Sequence, residues 1–469
     1  MAVHRPLAAV VLAAGEGTRM RSATPKVLHP LAGRPMLAHL VDTLVSLPIE
    51  RVVVVVGHGA AEVTETLSAA IRSPKPVDFV EQAVQRGTGD ATAVALSAFP
   101  EETGLDEDDV LVLVGDVPLL RADTVAALVA HHRESDAAAT LLTTHVDDPT
   151  GYGRIVRDAR GGVARIVEQA DATEEERAIT EVNPAIGCYR RSLLAPALRR
   201  LTPSNAQGEY YLTDVVQVLR DAGHAVAALA ANDPFECMGV NDRAQLAAAE
   251  AALRARINLA WMRAGVTMVD PRATYVDASV VLAPDVRLLP GTILEGRTTV
   301  ATGAVVGPDS RLVDTRVGER AVVQQTVARD AEIGPDCTVG PFASLRPGTR
   351  LAAGAHVGTF VETKAADIGE GAKVPHLAYV GDATIGPRAN VGAGTITANY
   401  DGRAKHRTVI GADARIGSNT VLRAPVEVGE GAYTGAGSVV THDVPPGALA
   451  KGVPAENDEG WADRLERGE

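Results

Sequence analysis

Apolar residues recur at every sixth position through long stretches of the second half of the chain. Two runs keep this spacing: Ile333, Val339, Leu345, Leu351 and Val357, and then Ile410, Ile416, Leu422, Val428 and Thr434. A hexapeptide period is typical of a parallel β-helix, in which each unit forms one side of a triangular coil with its apolar residue inward. Glycine often follows the apolar residue, where it would ease the corner. The region from Thr267 to Val440 therefore predicts a solenoid of about nine or ten coils, stacked about 4.8 Å apart.

The hexapeptide period is interrupted between Thr397 and Ile410, where the segment Ala398–Arg407 does not fit it. An insertion in a solenoid has to leave the coil as a loop, and such loops often carry function. Polar and basic side chains cluster in the coils before it: Arg346, Glu362, Lys364, His376, Tyr379 and Asn390. A single histidine is more often structural than catalytic, so this cluster alone leaves open a scaffold without chemistry.

The first half of the chain alternates strand-like and helix-like segments. Arg51–Val56 and Val110–Val114 are continuous runs of β-branched and aliphatic residues, as in central strands that are covered on both faces. Helical segments at 35–47 and 89–99 accompany them. This alternation predicts a doubly wound, mostly parallel, Rossmann-like α/β sheet. Ligands of such sheets bind at the carboxyl ends of the strands.

A glycine loop follows the first apolar run, Leu7–Leu12. Gly15 and Gly17 leave backbone N–H groups uncovered, which makes a nest for phosphate oxygens. Arg19 and Lys26 follow closely and can pair with phosphate charges. The loop has only part of the G-x-G-x-x-G pattern and is not a Walker motif, so a plain strand-to-helix turn remains the alternative to a nucleotide site.

Two oxygen-bearing side chains suit a metal ion beside this loop. Asp116 follows the strand at 110–114, where its carboxylate could bind Mg²⁺ together with phosphate oxygens. Asn241 could supply a second oxygen. Taken alone, Asp116 would be interpreted as a turn cap and Asn241 as a helix N-cap.

The middle of the chain is rich in alanine and helical in pattern from Asp242 to Gly265. Apolar residues there fall at spacings that favour one helix face: Leu246, Leu253, Ile257 and Trp261. The pattern predicts a helix that joins two domains and ends at Gly265. We therefore expect a domain at 1–241, a linker helix at 242–265 and a β-helix domain with a tail at 266–469.

Composition limits the classes of function. The formal net charge of −14 over 469 residues argues against a nucleic-acid-binding surface. The three cysteines, Cys188, Cys237 and Cys337, lack metal-ligand spacing and cannot all pair, which fits a reducing cytoplasm. The apolar run at 7–14 is too short to span a bilayer, so we expect no signal peptide, no membrane insertion and a cytoplasmic protein.

Several phrases together resemble a known enzyme family. The glycine loop resembles the signature of sugar-1-phosphate nucleotidyltransferases: Leu12-x-Ala14-Gly15-x-Gly17-Thr18-Arg19-Met20 with Pro25-Lys26. Further phrases are similar to the bifunctional bacterial enzymes that combine an N-acetylglucosamine-1-phosphate uridylyltransferase with a glucosamine-1-phosphate N-acetyltransferase: Lys26–His29, Gly115–Leu119, Gly151–Ile155, Asn205–Tyr211, Leu345–Gly348 and Asn399–Gly402. The resemblance covers nearly the whole chain. It implies a left-handed β-helix and synthesis of UDP-N-acetylglucosamine for peptidoglycan and lipopolysaccharide-type envelope polymers.

In the first half, the resemblance implies a site for UTP, N-acetylglucosamine-1-phosphate and Mg²⁺. The uridine nucleotide would be held by Leu12, Ala13, Ala14, Gly15, Gln82, Gly87 and Thr88. The sugar would be held by Gly153, Glu168 and Asn183. The metal would be bound by Asp116 and Asn241, and the phosphates would be steadied during catalysis by Arg19 and Lys26. A phosphate oxygen of the sugar would attack the α-phosphorus of UTP, and pyrophosphate would leave.

In the second half, the resemblance implies acetyl transfer from acetyl-CoA to glucosamine-1-phosphate. His376 would be the general base that deprotonates the amine, and Glu362 would orient His376 or the substrate. The sugar phosphate would be gripped by Arg346 and Lys364. Tyr379, Asn390, Asn399 and Tyr400 would complete the pocket, the last two also serving acetyl-CoA. The acetyl-CoA channel would be lined by Ala393, Ser418 and Ala436, with Lys451 as its basic contact.

The resemblance further implies a homotrimer assembled through the β-helix, with sites between subunits. One alternative is a single-activity nucleotidyltransferase whose β-helix only assembles trimers, against which the cluster around His376 argues. Another is a non-catalytic regulatory subunit, against which the intact Arg19, Lys26 and Asp116 argue.

Three segments depart from the family pattern. Glu16 puts an acid beside the triphosphate site, and Pro184–Ala185 follows Asn183 where a small residue and a glycine are expected. The end of the β-helix, at 450–454, is one residue shorter than expected. The polar tail beyond Pro454 is expected to be partly disordered, with Trp461 anchoring a short helix.

Overall fold

The computed structural model describes residues 5–71, 73–99, 108–452, 457–459 and 461–466. The chain divides into two compact units, one up to Leu253 and one from Arg254 onwards. Each unit is described by itself below.

The first unit is an α/β domain with a ten-stranded sheet. Its strands are β1 (Leu7–Ala13), β2 (Arg51–Val56), β3 (Val77–Glu81), β4 (Asp109–Val114), β5 (Ala139–His145), β6 (Gly153–Arg157), β7 (Val163–Val167), β8 (Glu181–Asn183), β9 (Gly187–Arg190) and β10 (Val226–Ala230). Its helices are α1 (Met36–Val45), α2 (Ala60–Ala70), α3 (Thr88–Ser97), α4 (Ala122–Ser135), α5 (Glu174–Arg177), α6 (Arg191–Leu198) and α7 (Asp214–Asp221).

The strand order is β3-β2-β1-β4-β9-β5-β8-β6-β7, with β10 beside β5. The first four strands run parallel, with helices in the connections, as the β-α-β pattern predicts. β1, β2 and β4 are buried on both faces, while the edge strand β3 is only partly buried, and two apolar clusters cover the two sides of the sheet. The carboxyl ends of β1, β2 and β4 therefore meet at one edge, where the glycine loop and Asp116 follow their strands.

The other half of the sheet differs from the mostly parallel arrangement predicted. β9 runs antiparallel to both β4 and β5, and β6, β7 and β8 form an antiparallel group. The physical reason lies in the connections. β6 and β7 are joined by a short turn containing Gly161 at φ +80°, and a parallel pair would need a crossover of a dozen or more residues. The sheet is therefore mixed, within the predicted α/β class.

Helix α8 (Arg243–Arg263) contains the boundary between the two units. Its first part packs Leu246 and Leu253 against a small apolar cluster of the first unit. Its last part packs Ile257 and Trp261 against the core of the second unit. The helix agrees with the predicted linker within two residues at each end, and Gly265 follows at φ +99°.

The second unit is a parallel β-helix. One face is an eleven-stranded sheet: Thr267–Met268, Arg287–Leu288, Val305–Val306, Val322–Val323, Thr338–Val339, His356–Thr359, Lys373–His376, Asn390–Val391, Arg415–Ile416, Tyr433–Thr434 and Leu449–Ala450. The remaining faces share a seventeen-stranded sheet: Tyr275–Val276, Val281–Leu282, Ile293–Glu295, Thr299–Val300, Arg311–Val313, Arg316–Val317, Val327–Arg329, Ala331–Ile333, Ser344–Leu345, Thr349–Leu351, Glu362–Ile368, Tyr379–Ile385, Ile396–Ala398, Thr408–Ile410, Val421–Arg423, Val426–Val428 and Val439–Val440.

The interior of the solenoid matches the sequence period. All ten residues of the two predicted runs are buried, and they belong to one continuous core or, for Thr434, to its buried polar lining. The role of the glycines is different from that predicted. Gly334 has no positive φ, but a Cβ there would lie 2.6 Å from the carbonyl oxygen of Leu351 in the next coil. Glycine is thus needed for close stacking, whereas residues such as Asp336 take the left-handed corner.

The insertion and the tail complete the second unit. Residues 399–407 leave the coil between two strands, which confirms a loop at the break in the period. Helix α9 (Trp461–Glu466) confirms the short helix expected in the tail, although its Trp461 is exposed. Val453 and Pro454, and with them part of the tail prediction, lie outside the described residues.

Candidate active sites in the two units

A cavity of about 260 Å³ opens at the carboxyl ends of β1 and β4. Every residue predicted to hold the uridine nucleotide lines it: Leu12, Ala13, Ala14, Gly15, Gln82, Gly87 and Thr88. Lys26 and Asp116 line it too. The fold therefore gathers segments that are about a hundred residues apart in sequence into one pocket, as expected for this edge of a parallel sheet.

The two glycines of the loop have different reasons to be glycine. A Cβ on Gly15 would meet nothing within 4 Å, so this residue leaves open space at the rim of the cavity. Gly17 has φ +64°, and a Cβ there would lie 2.6 Å from the Cβ of Lys26. Gly15 thus allows close approach of a ligand, while Gly17 lets Lys26 pack under the loop.

The side of the cavity formed by 82–88 is held by internal hydrogen bonds. The buried Gln82 amide donates to the Asp90 carboxylate at 2.7 Å and to the Gly87 carbonyl at 3.2 Å. Gly87 has φ +105°, and a Cβ there would lie 2.7 Å from the Tyr210 carbonyl oxygen. This wall is therefore rigid before any ligand binds, as a planar base requires.

Four charged or polar residues converge at the other end of the cavity. The Lys26 ammonium pairs with Asp116 and donates to Asn241 Oδ1 at 3.0 Å. Arg19 donates to the same Asn241 oxygen at 2.9 Å. The Val240 N–H donates to the Asp116 carbonyl at 2.8 Å, which ties the two segments together. The oxygens predicted to bind metal and the cations predicted to bind phosphate thus form one cluster.

The three residues predicted for the sugar also lie together. Gly153 and Asn183 are partners in the β6–β8 pairing. A Cβ on Gly153 would lie 3.3 Å from Glu168 Oε2, so a side chain there would crowd the carboxylate. Glu168 accepts a hydrogen bond from the Thr213 hydroxyl at 3.0 Å, and both line a second cavity of about 270 Å³.

The departure beside Asn183 has a structural consequence. The Asn183 side-chain oxygen accepts the N–H of Ala185 at 3.1 Å. Ala185 has φ +58°, the left-handed region where glycine is favoured. The segment therefore keeps a turn suited to glycine without having one. For Glu16, which is exposed, the structure offers no contact that explains its charge.

In the second unit, the predicted phosphate-binding cations occupy adjacent coils. The Arg346 N–H donates to Thr363 in the coil above, which stacks Arg346 under Lys364. Glu362 forms an ion pair with Arg346 at 2.8 Å, so this carboxylate helps to fix the position of the Arg346 guanidinium. Contact with Lys405 of the insertion lowers the pKa of Lys364, and the charge of Arg346 lowers it further.

His376 lies at one edge of the coils, and the residues at the same register position in the following coils are small and form a column. Thr359 and His376 are paired in register, and the pairings of Asn390 with Arg415 and of Arg415 with Tyr433 carry the column onward. Three residues after each of those positions stand the predicted acetyl-CoA contacts: Ala393, Ser418 and Ala436. The His376 side chain is exposed at the head of this column.

The predicted aromatic and amide residues divide into two groups. The Asn399 amide is buried, donates to Asp382 and lies 3.4 Å from the Tyr379 hydroxyl. Tyr400 is exposed and bonds only within its own loop, to the Gly402 carbonyl. Asn390 is paired in register with Lys373, which lies three residues before His376 on strand Lys373–His376, or about 10 Å along that strand.

Lys451 lies near the end of the same solenoid. It is exposed, and its Cβ is 3.4 Å from the position that a Cβ on Gly435 would take. It lines a cavity of about 340 Å³ formed by the last coil. This position, one coil beyond Ala436, suits the predicted end of the acetyl-CoA channel.

Comparisons with known proteins agree with this division of the chain. A family profile described as the MobA-like NTP transferase domain matches residues 9–222, and one described as bacterial transferase hexapeptide (six repeats) matches 407–442. A curated protein of Streptomyces avermitilis, named bifunctional protein GlmU, is 50% identical over all of this chain and 96% of its own length. A protein of the same name from Thermobifida fusca is 52% identical over 100% of this chain and 96% of its own length. Another, from Mycolicibacterium vanbaalenii, is 51% identical over 99% of this chain and 94% of its own length. The chain belongs to the GlmU family.

Membership of the GlmU family confirms three predictions from the sequence. The resemblance to the bifunctional enzyme family was correct, and so was the fold class, an α/β nucleotidyltransferase domain followed by a left-handed β-helix of hexapeptide repeats. The chain is a bifunctional transferase with a nucleotidyltransferase half and an acetyltransferase half. Among the described residues, no helix is long and apolar enough to cross a membrane.

Several residues of the two GlmU sites escaped the sequence analysis. Gln85 lines the nucleotide cavity and donates to the Ala14 carbonyl at 2.7 Å. Burial raises the pKa of Tyr152, which bonds to Gly239 beside Asp116. Thr213 holds Glu168, and Lys405 reaches Lys364. Tyr152 and Lys405 lie inside segments that the sequence pattern singled out, and Gln85 lies between Gln82 and Gly87, but which of these side chains point inward depends on the fold.

Proposed function

We propose that the second unit acetylates glucosamine-1-phosphate with acetyl-CoA and that the first unit transfers a uridylyl group from UTP to the resulting N-acetylglucosamine-1-phosphate. The product would be UDP-N-acetylglucosamine, a precursor of peptidoglycan and lipopolysaccharide-type envelope polymers. The domains carrying these activities are 1–241 and 266–469, with 242–265 as linker. The observation that carries the proposal is the pairing of two features: a cavity lined by Lys26 and Asp116, with Asn241 bonded to Lys26, and a basic cluster in the same unit as the exposed His376.

For uridylyl transfer, the nucleotide cavity supplies position and charge. The backbone at 12–15 and the wall at 82–88 would hold UTP, while Gly153, Glu168 and Asn183 would hold the sugar. Arg19 and Lys26 would neutralise the phosphates. A phosphate oxygen of the sugar attacks the α-phosphorus, a new P–O bond forms, and the bond to pyrophosphate breaks. Alignment and charge neutralisation account for catalysis of this kind, so no protein nucleophile is needed.

Mg²⁺ fits the donor set of this cluster. The oxygens of Asp116 and Asn241 are close enough to bond one ammonium group, so they converge on one point. Mg²⁺ commonly binds one or two protein oxygens and completes its shell with phosphate oxygens and water. When bound, the ion would neutralise charge on the phosphates. Asp116 and Asn241 would hold it, and Lys26 would then be free to face the phosphates.

For acetyl transfer, the residues at the head of the small-residue column supply the chemistry. Arg346, Lys364 and Lys405 would bind the sugar phosphate, with Tyr379 and Asn399 against the sugar. His376 would take a proton from the amine, and the amine nitrogen then attacks the thioester carbonyl. A C–N bond forms, the C–S bond breaks, and coenzyme A leaves as the thiol. The edge with Ala393, Ser418 and Ala436 would admit the acetyl-CoA arm, with Tyr400 and Lys451 as outer contacts.

We further infer a homotrimer and a cytoplasmic location. The separation of Asn390 from His376 within one chain supports a pocket completed by a neighbouring copy. The acidic charge supports the expectation that nucleic acid is not a partner. Sedimentation velocity on the full chain tests the trimer, since a monomeric species with full acetyl transfer would contradict shared sites.

The proposal is tested by measuring both reactions in one preparation. Thiol release with acetyl-CoA and glucosamine-1-phosphate reports the first step, and pyrophosphate release with UTP and N-acetylglucosamine-1-phosphate reports the second. Parallel reactions with dTTP and with the free amino sugar phosphate test specificity. Absence of thiol release would leave a single-activity nucleotidyltransferase on a β-helix scaffold. Absence of both products would favour the regulatory subunit.

A further inference from the structure

The guanidinium of Arg154 is buried without a carboxylate bonded to it. Arg154 lies in β6, paired with Val167 of β7 and Val182 of β8, and its exposure is only 1%. Its Nε has no hydrogen-bond partner, and it forms no ion pair within the described ranges. Burying a cation without a paired carboxylate costs free energy of folding. The two hydrogen bonds that the guanidinium does make therefore indicate what this residue does.

Both bonds of Arg154 hold the turn that leads into the sugar subsite. One Nη donates to the Tyr152 carbonyl, and the other donates to Gln169 Oε1 at 2.6 Å. The same Gln169 oxygen accepts the Gly151 N–H at 3.2 Å. Arg154 and Gln169 together therefore fix both residues of the turn Gly151–Tyr152. Gly151 has φ +89°, a conformation that glycine adopts readily, and glycine is also the most flexible residue, so these hydrogen bonds are what restrains the turn.

The Gly151–Tyr152 turn adjoins two parts of the first unit's site: the proposed sugar subsite at Glu168 and the loop that carries Asn241. Its next residue, Gly153, approaches Glu168 so closely that an added Cβ would lie 3.3 Å from Oε2. Its Tyr152 side chain bonds Gly239, two residues before Asn241. A displacement of this turn would therefore move the backbone that faces the sugar and loosen the support of the loop that carries Asn241.

Arg154 also acts on the charge of Glu168. Burial raises the pKa of Glu168, and the carboxylates of Asp214 on α7 and Asp171 raise it further. The Thr213 hydroxyl and the charge of Arg154 lower it. An ionised carboxylate accepts hydrogen bonds from sugar hydroxyls with all its lone pairs, whereas a protonated one does not. Removing Arg154 would therefore favour the form of Glu168 that binds sugar less well.

We propose that Arg154 is a positioning residue of the sugar phosphate subsite, which holds the Gly151–Tyr152 turn in place. This inference rests on the proposed uridylyl transfer. It predicts that Arg154 matters for one substrate of the first unit and not for the other. Geometry and charge are separate contributions, so they can be removed separately.

The test compares Arg154→Met, which removes both contributions, with Arg154→Lys, which keeps the charge and loses the two-point grip. Pyrophosphate release is measured with either substrate varied. In Arg154→Met we expect KM for the sugar phosphate to rise about tenfold or more, because a charge-assisted pair of hydrogen bonds is lost. KM for UTP should stay within about twofold, and this unchanged constant reports that the first unit is folded.

The pH profile separates charge from geometry. The acid limb of kcat/KM for the sugar phosphate should move to higher pH in Arg154→Met and stay in place in Arg154→Lys. Adding Asp214→Asn to Arg154→Met should move that limb back. A matched control is Arg160→Met, which removes an exposed arginine from the nearby hairpin and should change neither constant.

One result would overturn the proposal: in both Arg154→Met and Arg154→Lys, the melting temperature falls while KM for the sugar phosphate and the acid limb stay unchanged. Arg154 would then be a purely structural residue. If Arg154→Met does not fold, Gln169→Ala tests the same proposal. This change removes the oxygen that accepts hydrogen bonds from Arg154 and Gly151, so it should raise KM for the sugar phosphate alone, and an unchanged KM would contradict the proposal. Wild-type protein that releases no pyrophosphate would refute the proposed function instead, whatever Arg154 does.

Discussion

The two units form their sites in opposite ways. In the first unit, residues as distant in sequence as Gly15, Asp116 and Asn241 meet at one edge of a sheet, and the resulting cavity is lined from within one chain. In the second unit, Arg346, Lys364 and His376 lie on stacked coils only a few residues apart in the hexapeptide register. Arg346 and His376 are exposed and Lys364 is half-buried, so these side chains lie along an open surface.

This difference follows from the two folds. A doubly wound sheet ends its strands in loops that surround a crevice, so a closed pocket is a natural product of one chain. A solenoid repeats the same corner in every coil, so it produces columns and grooves but no enclosed volume. The first site is therefore a cavity lined by one chain, whereas the proposed second site lies along an open edge of the coils. Four substitutions test this contrast, from the largest expected effect to the smallest.

Asp116→Ala should have the largest effect and should confine it to the first unit. The change removes the carboxylate that pairs with Lys26 and would hold Mg²⁺, so we expect pyrophosphate release to fall by about a thousandfold or more. Thiol release should be unchanged. Both are measured in one preparation, with Asp147→Ala, an exposed acid of the same unit, as control. Loss of both activities in a folded protein would show that the two sites are not independent.

His376→Ala should give the reverse pattern. Loss of the general base should lower thiol release by about a hundredfold to ten-thousandfold, and pyrophosphate release should stay at the wild-type level. Unchanged thiol release would remove His376 from the chemistry and leave the exposed column as a scaffold.

The difference between the two folds also explains how much of each unit could be predicted from the sequence. The hexapeptide period determines the buried positions within its two unbroken runs, from Ile333 to Val357 and from Ile410 to Thr434. The column below His376 does not follow from spacing alone, because the insertion lengthens one of its coils. The parallel half of the α/β sheet follows from its apolar runs in the same way. The antiparallel strands β6 to β9 do not, since short, partly polar strands carry a weak periodic signal and their partners are chosen by tertiary packing.

The candidate site residues also fall into those that a sequence motif identifies and those that only the fold identifies. Residues inside motif phrases, such as Lys26 and Asp116, were found because the phrase itself carries the signal. Thr213 and Lys405 were not, because their importance arises only where separate segments meet: Thr213 at Glu168 and Lys405 at Lys364. The pairing of Glu362 with Arg346 likewise depends on which residues stack in adjacent coils. Sequence motifs thus identify one partner of a contact more readily than both.

Lys405→Met tests the exposed cation cluster and should have a moderate effect. Lys405 lowers the pKa of Lys364, so its removal should let Lys364 keep its proton to higher pH. The alkaline limb of kcat/KM for glucosamine-1-phosphate should therefore move to higher pH. At neutral pH, loss of one exposed charge should raise KM for that substrate by about two- to fivefold. Arg403→Met removes another cation of the same loop and serves as control, and a shift equal to that of Lys405→Met would mean that net charge alone is responsible.

Ala185→Gly should have the smallest effect, and it tests how rigidly the first site is built. Ala185 has φ +58°, which costs an L-residue about 1–2 kcal/mol, whereas the glycine would lose about 0.4–1 kcal/mol through the entropy of the unfolded chain. The net gain of roughly 0.5 kcal/mol should raise the midpoint of the first unit's thermal transition by a degree or two. Ala69→Gly, at an exposed position inside α2, should lower it instead, because glycine is unfavourable in a helix interior. If Ala185→Gly lowered the midpoint as Ala69→Gly does, the strain would be offset by contacts of the methyl group, and the sugar end of the pocket would be packed more tightly than its hydrogen bonds alone require.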